Sequence, residues 1–424
     1  MSPAARALPS SGHQGNGAPH LVFVPSAGMG HLLPFTRFIT AIANMGVDIS
    51  VVTALPTVSE AEAEHFASLF AAFPAIRRID FNLLPFDASA FADTEPFFLR
   101  WESLRRSAHL LGPLIAGAAP RASAVITDVT LASEVIPVAK NELKLPCHVL
   151  FTSGATVLAF LAYFPVYLDG ANADHLVSDV DVPGVRHLPL DYCPRVLRNP
   201  DGLFTKQFIV NGREIAEADG ILVNTFDALE PEALTALRGG KVVPGFPTVF
   251  AVGPLKSTPT TARSDKADAP IAWLGEQPAR SVVYVAFGNC NAAAQKQIRE
   301  ISAGLEASGC RFLWVVKTTI LDREDTAELR DVLGDGFLGR VQGRGLVTKE
   351  WVDQEAVLKH PAVGLFLSHA GWGSVTEIGE KVKEVMGDEA VSAGAAKMRE
   401  EAAKALAPGG SSYRSMHEFI AMLS

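Results

Sequence analysis

Cysteine is scarce in this 424-residue chain: Cys147, Cys193, Cys290 and Cys310 are the four present, widely spaced and without a CxxC pair. That argues against a disulfide framework and against thiolate zinc or redox sites, and leaves reduced, mostly buried thiols as the expectation. Positive charge is also short. Lys and Arg number 37 against 46 Asp and Glu, a formal net charge of -9 with no basic run, so a nucleic-acid partner is not expected. Hydrophobic residues make up 48% of the chain, yet no stretch reaches the roughly 18 consecutive apolar residues of a membrane span. The first 18 residues, MSPAARALPSSGHQGNGA, lack the apolar core of a secretory signal and read as a disordered leader, with a cytoplasmic location as the expectation. There is no GxSxG elbow, no GxxxxGK[ST] loop and no HExxH motif. His360 and His369 stand nine residues apart across a strand, a poor ligand spacing, so no metal is expected.

What the chain does have is alternation. Apolar strands are expected at 20–25, 47–53, 79–84, 124–127, 148–151 and 221–224, with helices at 33–45, 60–73 and 133–143 between them. This pattern predicts a parallel sheet covered by helices. A Pro/Ser/Thr-rich polar run, KSTPTTARSDKADAP, then reads as an exposed linker. A second alternation follows it, with strands at 281–287, 311–316, 345–349 and 363–367 and a helix at 295–308. The prediction is therefore α/β: two Rossmann-like doubly wound domains facing a cleft. The boundaries read as a leader over 1–18, a first domain over 19–254, a linker over 255–270, a second domain over 271–385 and a helical tail over 386–424. In such sheets ligands bind beyond the carboxyl ends of the strands, where His31 and His369 both lie.

The segment WVDQEAVLKHPAVGLFLSHAGWGSVTE, from Trp351 to Glu377, carries the chemistry of a nucleotide diphosphate site. Val363, Leu365 and Leu367 read as a strand buried on both faces. Ser368-His369-Ala370-Gly371-Trp372-Gly373-Ser374 then turns the chain into a helix, where free amides and the helix dipole favour an anion. His369 and Ser374 can add donors to phosphate oxygens, Trp351 offers a flat face to a base, and Gln354 can reach a ribose or a base edge. Each residue also has an ordinary reading as core Trp or capping Ser, and only the joint spacing favours a ligand. Near the start, Gly28 and Gly30 suggest a dinucleotide fingerprint, but the third position is Leu33, which disfavours a nicotinamide. Asp128 follows an apolar strand, where Asp often serves as a helix N-cap, and His31 alone reads as a turn residue packing under a helix.

The Trp351 to Glu377 segment resembles the donor-binding box of plant family UDP-glycosyltransferases. The similarity runs from His20 to about Glu380 through SAGMGHLLPF, LPTVSEAE, ITDVTLAS, VNTFDALEPEAL and QPARSVVYVAFG, nearest to grass flavonoid C-glucosyltransferases. It implies a GT-B fold with UDP-glucose as donor, no separate cofactor, a phenolic acceptor and a monomer. It implies uracil stacking on Trp351, base contact by the Val352 backbone, ribose contacts by Gln354 and Glu377, and diphosphate contacts by His369 and Ser374, with Trp372 and Gly373 in the same turn. His31 is implied as the catalytic base and Asp128 as its carboxylate partner, with Thr152 near a sugar hydroxyl and Asn289 near the phosphates. An imidazole beside a phenol can take its proton, and a carboxylate on its other nitrogen fixes the tautomer. Phe97, Phe98, Tyr163 and Phe164 could line an aromatic acceptor pocket, although Phe in such runs is mostly core.

The chain departs from the family at Ala370, where Cys is usual, and at Gly373, where Asn is usual. After Glu377 it runs into EKVKEVMGDEA instead of a Gly-Val-Pro strand and the Asp-Gln pair that holds the sugar. The second domain is therefore expected to lack its last strand region through an internal deletion, with activity in question and an impaired UDP-binding protein as the alternative.

Overall fold

The computed structural model describes residues 18–87, 96–255, 268–287, 295–317, 327–350, 352–368, 386 and 388–423. Its strands, in chain order, are β1 (His20–Val24), β2 (Asp48–Leu55), β3 (Arg77–Asn82), β4 (Ala124–Asp128), β5 (Cys147–Phe151), β6 (Val180–Val182), β7 (Arg186–Leu188), β8 (Gly220–Val223), β9 (Val249–Ala251), β10 (Val282–Ala286), β11 (Arg311–Val315), β12 (Gly345–Thr348) and β13 (Val363–Ser368). Two parallel sheets result, ordered β3-β2-β1-β4-β5-β8-β9 and β12-β11-β10-β13, besides the antiparallel pair β6-β7. Strand order reverses beside β1 in the first sheet and beside β10 in the second.

The chain divides into two compact units: 1–58, 69–255 and 405–424 form one, and 59–68 with 256–404 form the other. The stretch read from sequence as a helical tail is thus shared between them. Its last helix, Ser411–Leu423, packs on β9 of the first unit, and the three-residue β9 itself is too short for its period to show in the sequence. Ser412 donates its hydroxyl to the Gly253 carbonyl at 2.5 Å. Phe419 is fully buried against the rings of Phe38, His148 and Phe250.

Burial explains the strand patterns. Successive residues of a strand point to opposite faces. Along β10, Val283 and Val285 join one core cluster while Val282, Tyr284 and Ala286 join the other, so this strand is covered on both faces, as a near-continuous apolar run requires. β13 departs from the expectation. It is only half-buried, with Gly364 and Phe366 exposed and Phe366 stacked on Tyr284. Among the described residues it is the edge of its sheet, and an edge strand shares its burial with only one neighbour. Cys147 and Cys193 are buried free thiols and Cys310 is partly buried, while Cys290 lies outside the described residues.

His148 on β5 is an unusual core residue, because neither ring nitrogen has a hydrogen-bond partner among the described residues. Burial pushes its pKa down to about 4 against a smaller upward pull from Asp219. The folded protein therefore holds the ring neutral, and its contribution to stability is complete above pH 6.5 and lost as pH falls toward 4. That loss amounts to about 3 kcal/mol, and denaturant unfolding of the His148→Leu variant should lack this part of the acid dependence. In the same packing, Phe419→Ala should cost about 3–5 kcal/mol through the cavity it leaves, measured as a lower unfolding midpoint.

Candidate active site

The first sheet delivers two side chains to its strand-order reversal. β1 and β4 pair in parallel, with Val24 opposite Thr127, so the chain leaves both strands at the same edge. After β1 the turn through Gly28 has φ 91°, a left-handed conformation natural only to glycine. The Gly28 carbonyl accepts from His31 and Leu32 amides at 3.0 and 2.9 Å, starting the helix Met29–Ile42. His31 is thus in the first turn of a helix, not in the preceding loop where the sequence reading put it; the helix begins four residues earlier than expected because Gly28 can supply the cap geometry. Phe35 and Phe38 on that helix pack against Phe23 of β1, which fixes the helix on the strand.

Asp128 ends β4 with no exposed side-chain surface, and its Oδ2 lies 2.9 Å from Nδ1 of His31, itself about a quarter exposed. Both readings of this aspartate hold at once. Its Oδ1 accepts from the Thr130 amide at 2.8 Å, capping a turn of 3₁₀ helix over Val129–Leu131, and from the Thr130 hydroxyl at 2.6 Å. One oxygen builds the turn and the other serves the histidine. Burial pulls the His31 pKa down, but the charge and the hydrogen bond of Asp128 outweigh it, and the balance is raised above the usual 6.5. An imidazole so held has Nδ1 committed to the carboxylate, so that proton transfer with a substrate falls to Nε2. His20 makes the contrast. Its two nitrogens meet the Pro120 carbonyl at 2.6 Å and the Ser50 hydroxyl at 2.8 Å, which makes it a structural tie.

Thr152 lies just past β5, the next strand along, partly buried, with its carbonyl 3.4 Å from the Asn224 amide nitrogen. The helix that follows, Ala155–Ala171, has its first amides taken by Glu230, which accepts from Ala155 and Thr156 at 2.8 Å each. This carboxylate already supplies the negative charge that a helix N-terminus favours. Phe164, one of the aromatics considered for an acceptor pocket, is fully buried core. Phe98 instead joins Trp101 and Phe204 in an aromatic cluster. The last two were not singled out in the sequence, since no periodicity joins positions a hundred residues apart.

In the second unit the corresponding reversal lies between β10 and β13, where Ala286 opposes Ser368. The chain leaves these two strands side by side toward Asn289 and His369. Those two residues, and Trp351, Trp372, Gly373, Ser374 and Glu377, lie outside the described residues. Val352 is buried in the core under β10, and Gln354 is exposed at the first position of the helix Gln354–Lys359. Asp353 caps that helix by accepting from the amides of Glu355 and Ala356.

Comparison with known proteins agrees with this arrangement. The family model described as UDP-glucoronosyl and UDP-glucosyl transferase matches residues 134–382, more than half of the chain. A UDP-glycosyltransferase CGT of Oryza sativa subsp. indica is 52% identical, with 97% of this chain and 98% of that protein covered. The alignment spans 463 positions, so at least 39 of them have no residue in this 424-residue chain. The crystal structure of LpCGTa in complex with UDP matches with a TM-score of 0.82 at 40% identity, over 96% of this chain and 100% of that one. Medicago truncatula UGT71G1 complexed with UDP-glucose matches with a TM-score of 0.80 at 26% identity, over 96% and 98%. Two parallel-sheet units of GT-B type, a histidine–aspartate pair at the first reversal and these matches lead to one conclusion: this chain is a glycosyltransferase of the UDP-glucoronosyl and UDP-glucosyl transferase family.

Proposed function

We propose that the protein transfers glucose from UDP-glucose to a flavonoid or related phenolic acceptor, with inversion, and forms a C-glucoside. The observation that carries this reading is the 2.9 Å contact between His31 and a fully buried Asp128. His31 Nε2 takes the proton of an acceptor phenol. The phenolate pushes electron density to an ortho carbon, which forms a bond to the anomeric carbon as the bond from that carbon to the diphosphate oxygen breaks. UDP departs with the electron pair, the ring proton at the newly bonded carbon passes to solvent to restore an aromatic phenolate, and the His31 imidazolium returns its proton to that oxygen. Preorganised donors at the leaving group stabilise the charge that develops there. Asn289, His369 and Ser374 are assigned that role, with Trp351, Val352, Gln354 and Glu377 on the uridine side, Trp372 and Gly373 in the phosphate turn and Thr152 toward the sugar. Carbon rather than oxygen attack is supported by the name of the rice relative, CGT, and by the likeness to LpCGTa.

One observation favours a second reading, a UDP-binding protein with impaired catalysis: no Asp-Gln pair follows Glu377, and at least 39 positions of the alignment with the rice relative have no residue in this chain. Incubation with UDP-glucose and phloretin separates the two. Turnover that falls at least about 100-fold in His31→Ala supports the enzyme, UDP binding without turnover supports the impaired form, and failure to bind UDP overturns both. An O-glucoside as product would replace carbon attack by oxygen attack.

The dyad makes a separate prediction about charge. In Asp128→Asn the histidine keeps its burial and loses the opposing charge, so its pKa should drop from its raised value to below 6.5. Histidine NMR titration checks this, and an unchanged midpoint would mean that Asp128 does not govern His31.

A further inference from the structure

Asp128 is held as firmly as it holds His31. Its Oδ1 receives both the amide and the hydroxyl of Thr130, at 2.8 and 2.6 Å. Thr130 is in turn pinned through its carbonyl, which accepts from Trp101 Nε1 at 2.6 Å and from Asn211 Nδ2 at 3.1 Å. The other end of the Asn211 amide accepts from the Ser133 backbone at 2.9 Å. Trp101 lies on the helix Pro96–Ser107 and Asn211 on the helix Leu203–Glu214, and both side chains are almost fully buried. Two helices remote in sequence therefore converge on the one residue that grips the far oxygen of the carboxylate. A buried network with its members satisfied in this way allows one arrangement and makes the alternatives costly.

We infer that Thr130 is a positioning residue for the dyad: it orients the Asp128 carboxylate so that Oδ2 faces His31 Nδ1, with Trp101 and Asn211 fixing Thr130 itself. A carboxylate on a rotatable bond needs such a hold, because its alignment with the imidazole is lost when it turns. The hydroxyl stands 2.6 Å from Oδ1, nearer than the ~3.3 Å at which carbon meets oxygen. Thr130→Val puts a methyl group there and forces the carboxylate to swing. Thr130→Ser keeps the oxygen. The charge of Asp128 raises the His31 pKa against the pull of burial, so a swung carboxylate lets burial pull that pKa down.

The inference rests on the proton-acceptor role proposed for His31, and the test separates the two. Histidine-labelled full-length protein is titrated by NMR, with the His31 signal assigned by its disappearance in His31→Ala. Thr130→Val should lower the His31 pKa by about half a unit to one unit, Thr130→Ser should restore it, and Trp101→Phe, which loses the donor but keeps a ring, should move it less in the same direction. With turnover, Thr130→Val should lower kcat about tenfold with KM little changed. A His31 midpoint in Thr130→Val equal to that of the unmodified protein overturns the inference. So does a rise, which would mean that Thr130 disperses the carboxylate charge without orienting it. The dyad reading fails by a different result, a His31 midpoint indifferent to Asp128→Asn. The NMR titration needs no turnover, so it decides the point even if the chain is catalytically impaired.

Discussion

Parallel pairing of β1 with β4, Val24 opposite Thr127, brings the chain out of the first sheet side by side at the two points that His31 and Asp128 follow. Everything chemical in the described part of the site depends on that register. Residue i of a strand faces opposite to residue i+1, so a slip of one position would turn Asp128 away from His31 and expose the core face of β4. The fully buried apolar residues of β1 and β4 hold the register, because any slip would cost their burial. Catalytic geometry is here a by-product of core packing.

Asp128 shows how one side chain satisfies two demands. A buried carboxylate is tolerable only when its oxygens are hydrogen-bonded. Thr130 fills one oxygen and His31 the other, so the desolvation cost of the aspartate is offset partly by a local cap and partly by the histidine whose proton it stabilises. Burial and opposite charge pull the His31 pKa in opposite directions, and the net rise marks the ion pair as the stronger influence. His148, more deeply buried in the same unit, has no such partner among the described residues and is driven the other way.

The second sheet places the chain exits after β10 and β13 at its own reversal point. Its β13 carries the apolar sequence of a two-faced strand, yet stands half-exposed at the edge of the described sheet. The sequence reading of β13 as buried was correct in kind and wrong in degree, since apolar content reports what a strand could bury and not which neighbours are there to cover it. The absence of the Asp-Gln pair after Glu377 was plain from the residues. Its effect on the sheet is a matter of strand neighbours, which a list of residues does not contain.

By itself the sequence determined the α/β alternation, most strand positions and the family, and the pairing of His31 with Asp128 came only as what the family resemblance implies. These are carried by short contiguous signals: apolar runs, a glycine turn, and motif spacing within about thirty residues. The tertiary structure alone decided that Asp128 is cap and partner together, and that His31 sits in a helical turn. It alone brought Trp101 and Asn211 to Thr130 and put the final helix, through Phe419, against the first sheet. Those contacts join residues separated by tens to hundreds of positions. Nothing in the local pattern at either end records the other, because such contacts come into being only when helices remote in sequence pack on the first sheet.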